Sequence, residues 1–147
     1  MTIPKTEVWE VEHAIEVDAS PSAIWRLLSD VESWPRWNAG VQSIDLRGPF
    51  DAGTPFTMTL PDGSTVESRL VEVQPGQNFL DENSVGDLRI FVDHRLETVG
   101  VNRTRVLFAV EAFGPGGDTV GPMISADFPL VLKALAAHAE ARAPANC

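Results

Sequence analysis

The sequence holds one cysteine, Cys147, and it is the last residue. No disulfide can close within the chain, a Cys-rich metal site is excluded, and a reducing compartment fits that usage. Positive charge is scarce as well, with 11 Lys and Arg against 21 Asp and Glu and a formal net charge of -10. Such a chain repels phosphate backbones and anionic headgroups, so nucleic acid is not an expected partner. Long apolar runs are missing too. No stretch approaches the roughly 20 apolar residues that span a bilayer, and the N-terminal run carries five carboxylates by Asp18. The expectation is a cytoplasmic protein, monomer or homodimer, without stable membrane insertion.

Several catalytic signatures are also absent. No G-x-S-x-G turn marks a nucleophilic serine, and the three histidines include no His-x-x-x-His pair, so neither a triad nor a metal site is expected. His138 is expected on the exposed side of the last helix. Gly114-Pro115-Gly116-Gly117 matches neither the dinucleotide fingerprint nor the P-loop, and reads as a flexible loop that turns the chain over the sheet. Its neighbour Met123 is placed to gate a pocket mouth. No cofactor is expected.

What is present fits one domain over residues 1–147, with a core at 8–142 and a frayed tail at 143–147. A domain this size buries roughly 70% of its unfolded surface, enough for a core and a modest internal pocket. VWEVEHAIEVD alternates, with Trp9, Val11, His13, Ile15 and Val17 on one face, as in a half-buried strand. Ser20 is a helix cap and Pro21 suits the first helical position. Ile24, Leu27, Leu28 and Val31 then recur at helical spacing, and Pro35 breaks the pattern between Trp34 and Trp37.

After Gly40, strands are predicted at about 41–47, 55–60, 64–73, 79–85, 88–98 and 104–113, separated by turns such as Leu60-Pro61-Asp62-Gly63 and Gln74-Pro75-Gly76-Gln77. Connections this short imply antiparallel pairing. The inner faces should carry Leu88, Ile90, Val92, His94 and Leu96 in one strand, and Thr104, Val106, Phe108 and Val110 in the next. The charged sets with Arg69 and Arg89 should lie outside, and only a one-residue slip would turn Arg69 inward. Val120, Ile124, Phe128, Val131, Leu132, Leu135 and Ala139 form one stripe that keeps phase across Pro129, which predicts a kinked continuous helix over about 121–142. Its length of roughly 32 Å matches the sheet. The result is an α+β layout, a curved antiparallel sheet of about seven strands wrapped around a long C-terminal helix, with two short helices after the first strand.

Ala19-Ser20-Pro21-Ser22-Ala23-Ile24-Trp25, followed by Leu28, Asp30, Trp34 and Trp37, resembles the opening of the polyketide cyclase/dehydrase-like branch of the START-related helix-grip superfamily. Val71-Glu72-Val73-Gln74-Pro75-Gly76 and His94-Arg95-Leu96-Glu97 resemble it as well. Pro129 departs from the uninterrupted final helix of that pattern. The resemblance implies a small hydrophobic ligand, polyketide-, aromatic- or lipid-like, in an internal cavity, and cyclisation or dehydration if the ligand is turned over. The alternatives are a noncatalytic carrier, sensor or lipid-transfer module with the same pocket, and a filled core acting through an acidic surface.

The candidate lining is Val11, Trp37, Phe56, Met58, Ile90, Val92, Phe108, Ile124, Phe128 and Leu132, with His94 first and His13 second as acid/base candidates. If the first strand pairs with the last and the last with the strand of His94, the two imidazoles stand roughly 10 Å apart. That admits a ligand but no shared metal. The plainer reading of each is a neutral core histidine bonded to a backbone carbonyl, Asp81 or Ser43. For Trp34 and Trp37, the packing reading is that they plug one end of the curled sheet, and the alternative is that Trp37 stacks on a flat aromatic ligand.

Overall fold

Strict alternation in VWEVEHAIEV becomes strand β1 (Val8–Val17), whose even-numbered residues are exposed and whose odd-numbered ones from Trp9 face the core. The computed structural model describes residues 8–142, and the tail expected to fray lies outside the described residues. The Ser20 hydroxyl accepts the Ala23 N–H at 3.2 Å, and Pro21 opens α1 (Pro21–Ser29), which buries Ile24, Leu27 and Leu28. A 3-10 turn (Val31–Ser33) leads into the short α2 (Trp34–Trp37).

Six strands follow close to their predicted places: β2 (Ser43–Leu46), β3 (Pro55–Thr59), β4 (Thr65–Gln74), β5 (Asn78–Val85), β6 (Leu88–Gly100) and β7 (Arg103–Phe113). They and β1 form one antiparallel sheet in the order β1-β7-β6-β5-β4-β3-β2. Register shifts at Leu70/Glu72 in β4 and Thr98/Gly100 in β6 add the local bends that curl a sheet. The predicted parities hold. Three rows cross the concave face: Phe79, His94, Phe108 and His13; Leu70, Asp81, Val92, Val110 and Val11; and Phe56, Ser68, Asn83, Ile90, Ala112 and Trp9. Arg69 and Arg89 both reach Glu82 on the convex face, where exposed ion pairs contribute about 0–1 kcal/mol each.

The C-terminal segment begins earlier than predicted and is divided. α3 (Gly117–Ser125) and α4 (Phe128–Arg142) meet at Ala126-Asp127, where Ala126 still has helical dihedrals (φ -58°, ψ -35°). The interruption precedes Pro129 because proline has no N–H for the carbonyl four residues back, that of Ser125, and its ring crowds that group. The stripe nevertheless keeps phase, with Val131, Leu132, Leu135 and Ala139 all buried. Contrary to the sequence expectation, the run Gly117–Ala141 is long and apolar enough to cross a membrane by length and composition, at a mean hydropathy of 1.4. Its many alanines raise the average without forming an unbroken run of large side chains, and its stripe faces the sheet here. His138 also departs from expectation. It is half-buried, with Nε2 enclosed, because it follows Leu135 by three residues and Val131 by seven and so borders the stripe.

α3 sits very close to the sheet. A Cβ on Gly121 would lie 2.2 Å from the Trp9 ring, and one on Gly117 would lie 3.3 Å from Ala112 Cβ. Gly121→Val is therefore expected to lift α3 from β1 and lower stability by about 1–3 kcal/mol, measured by urea unfolding. A penalty that persists unchanged in a Trp9→Ala background would place the strain elsewhere.

The apolar side chains under the helices form two clusters. One gathers Phe56, Leu70, Phe79, Phe108 and the α1, α2 and α4 residues, including both buried tryptophans. The other gathers Leu88, Ile90, Val92, Val110 and Ala112 beneath α3. Half-buried Phe128, at the start of α4, packs against both.

Candidate functional site

His94 lies in β6 directly between Phe79 of β5 and Phe108 of β7. Its ring is stacked on Phe79 with centroids 3.9 Å apart and planes 9° apart, and it meets Phe108 edge-on at 4.7 Å. Nδ1 stands 3.2 Å from the Phe79 carbonyl oxygen. A carbonyl only accepts, so Nδ1 carries the proton and Nε2 keeps a lone pair. Burial pushes the pKa down to about 4, opposed by the bond to Phe79 and the charge of Asp93. The imidazole is neutral at physiological pH. Its partner is a backbone carbonyl, and neither Asp81 nor Ser43 supplies it.

His13 is half-buried on β1 and meets Phe128 edge-on at 6.3 Å. Phe108 is the register partner of both histidines, so one phenyl-bearing residue separates them across the sheet. Phe108 in turn packs edge-on against Phe128 at 5.5 Å. Phe128 thus links His13 to the aromatic run of Phe79, His94 and Phe108.

Both tryptophans of the short helical turn are buried, and their N–H groups are occupied. Trp34 donates to the Leu28 carbonyl at 2.9 Å and stacks on Phe79, while Trp37 donates to the Ser33 hydroxyl at 3.4 Å. They close one end of the curl by packing, with Trp37 against Trp34 at 6.0 Å.

The remaining lining candidates fall on the same concave side. Phe56, Ile90, Val92, Phe108 and Leu132 are buried, while Val11, Met58, Ile124 and Phe128 are half-buried against them. Met123 is 73% exposed at the α3 surface.

Sequence reasoning gave no site role to the polar members of the other two rows. Asp81 is 8% exposed and Ser68 7%. Burial, reinforced by the nearby Asp93 charge, pushes the Asp81 carboxyl up to about 8, so it stays largely protonated at neutrality. The signal was available in parity: once Phe79 points inward, Asp81 and Asn83 must as well.

Two open recesses, of about 530 and 510 Å³, lie on the convex face. Glu10, Glu12, Asp93 and Arg95 line the first, and Arg47, Glu67, Arg69 and Glu82 line the second together with Ser68 and Asn83 of the strands beneath it. Rims this charged and open suit water better than an oily molecule, so the concave face is the candidate site despite their size. No group of three or more metal-ligating side chains occurs among the described residues.

The fold is shared with solved proteins of low sequence identity. A protein from Mesorhizobium loti, MLL2253, superimposes with a TM-score of 0.78 at 16% identity, covering 91% of this chain and 98% of its own. The Zhui aromatase/cyclase from Streptomyces sp. R1128 gives 0.77 at 16% identity, over 92% of this chain and 95% of its own. Norcoclaurine synthase from Thalictrum flavum gives 0.71 at 17% identity, over 89% and 86%. At such identities the likeness shows the fold alone. No curated protein sequence matches the chain. The model of the family described as polyketide cyclase / dehydrase and lipid transport, however, matches residues 8–140. By that match over nearly its whole length, the chain belongs to the polyketide cyclase/dehydrase and lipid transport family of the START-related helix-grip superfamily.

Proposed function

We propose that this protein binds a small, largely apolar molecule against the concave face between the sheet and the α3–α4 segment, with His94 accepting a hydrogen bond from it. The observation that carries this reading is the tautomer of His94. Its Nδ1–H is held by the Phe79 carbonyl, so Nε2 is left as a fixed acceptor set in an apolar and aromatic wall. Pockets for small molecules are typically built this way, from apolar walls with few oriented polar groups.

A catalytic reading is favoured by one further observation. His94 is a neutral base and Asp81 a neutral acid, and they occupy adjacent rows of adjoining strands with their proton affinities displaced in opposite directions. Such a pair can accept a proton at Nε2 while the carboxyl donates one, as enolisation in a cyclisation or dehydration requires. A base whose pKa is near 4 is weak at neutral pH, and for that reason binding is the primary reading and turnover the second.

Native mass spectrometry of the purified protein, followed by ligand identification, separates them. An apolar molecule recovered unchanged after incubation supports a carrier, and one that is converted supports an enzyme. No ligand and no uptake of an apolar dye would sink the proposal. His94→Gln is expected to abolish conversion while binding falls less than tenfold, the scale of one hydrogen bond. Unchanged turnover in that variant removes His94 as the proton carrier.

A further inference from the structure

β5 places a polar seam in an otherwise apolar wall. Asn83 is registered between Ser68 of β4 and Ile90 of β6, and Asp81 between Leu70 and Val92. Leu70 belongs to one apolar cluster, and Ile90 and Val92 to the other. The seam therefore lies where the two clusters fail to merge. The Ser68 hydroxyl and the Asn83 amide oxygen are enclosed without a hydrogen-bond partner. No hydrogen bond from the described residues acts on the Asp81 carboxyl. Each such group left unpaired costs about 1–3 kcal/mol, and folded proteins rarely retain several together unless something else satisfies them.

The charge around the seam is as informative as its burial. Arg69 and Arg89 are engaged by Glu82, Arg95 by Asp93, Arg47 by Glu67 and Arg103 by Glu16, all on the convex side or at its edge. No arginine or lysine belongs to the three concave rows.

We propose that Ser68, Asp81 and Asn83 form the polar end of the ligand site, and that they select a molecule whose oxygen is a neutral ketone, phenol or alcohol over one that ends in a carboxylate. The proposal rests on the reading that the concave face binds an apolar molecule, and it narrows the class of that molecule. A ketone oxygen accepts from the Ser68 hydroxyl and from the protonated Asp81 carboxyl, while a ligand hydroxyl donates to the Asn83 oxygen. A carboxylate in the same place would lose its hydration with no cation to replace it and an acid as its neighbour.

Three probes of one shape test this at pH 7 by titration calorimetry: naphthalene, 2-acetylnaphthalene and 2-naphthoate. The ketone is expected to bind about tenfold more tightly than naphthalene, the effect of one well-made hydrogen bond, with naphthoate the weakest. Asp81→Leu is expected to erase the preference for the ketone while naphthalene still binds. Asp81→Asn, which keeps a donor, should retain it. Should the leucine variant not fold, Ser68→Ala provides the milder version, with the ketone preference reduced about threefold. Naphthoate binding as tightly as the ketone overturns the proposal, as does a ketone preference that survives both Asp81→Leu and Ser68→Ala. Naphthalene binding with no gain for the ketone overturns the polar end alone, whereas failure of all three probes overturns the concave ligand site with it.

Discussion

Asp81→Asn will raise stability at neutral pH by on the order of 4 kcal/mol and remove a decline of stability with rising pH. The folded-state pKa is about 8 against an ordinary 3.8, so between those values the unfolded chain has released a proton that the folded chain still holds. The folded state then binds more protons, and each pH unit upward lowers its stability by about 1.4 kcal/mol. Below pH 3.8 both states are protonated and the effect vanishes. Asparagine has the shape of the neutral acid but does not titrate, so nothing is lost on raising the pH.

His94 acts in the opposite sense over part of this range. Its folded pKa of about 4 lies below the ordinary 6.5, so between them the unfolded chain holds the extra proton and stability rises with pH. From about pH 4 to 6.5 the two slopes oppose each other, and from 6.5 to 8 only that of Asp81 remains. Urea unfolding at a series of pH values, taken as the difference between native and Asp81→Asn protein, isolates the carboxyl. A difference that does not grow between pH 5 and pH 8 would show that Asp81 is ionised and solvated in the fold. The corresponding His94→Gln difference should grow only on the acid side.

Phe79→Ala will cost about 3–5 kcal/mol, the range for removing a buried phenyl group from a core. Phe79 is fully buried and touches Trp25, Trp34, Phe50 and His94. The same substitution uncovers one face of the His94 imidazole, so its pKa should climb from about 4 toward the ordinary 6.5 as water reaches it. Chemical denaturation reads the first effect, and NMR titration of the ring protons the second. A variant that loses stability while the imidazole pKa stays near 4 would assign the depression to Phe108 and the helix side instead of the stack.

The strands and their faces were legible in the sequence because one side of the sheet is buried and the other wet, and a period of two reports that directly. Thus His13 and His94 could be assigned to the concave face before any coordinates, and Arg69 to the convex one. The Ser20-Pro21 helix start was equally plain, since capping depends on residues a few positions apart. The division of the last helix was visible only as Pro129, and the position of the break at Ala126-Asp127 needed the backbone. Pattern recognition favoured the imidazoles and weighed Asp81 only as a hydrogen-bond partner for a core histidine, because an acid beside Glu82 in NFLDENSV looks like surface until Phe79 sets the parity.

The sequence alone determined the order of the elements, the face each strand presents to the core, and the family the opening motif resembles, because these follow from short-range periodicity and local turn and cap chemistry. Tertiary structure decided the protonation of His94 and Asp81, the close seat of α3 on Trp9, and the polar seam between two apolar clusters. Those features arise between residues distant in the chain, and burial by distant partners is what moves a proton affinity or leaves a hydroxyl without a mate.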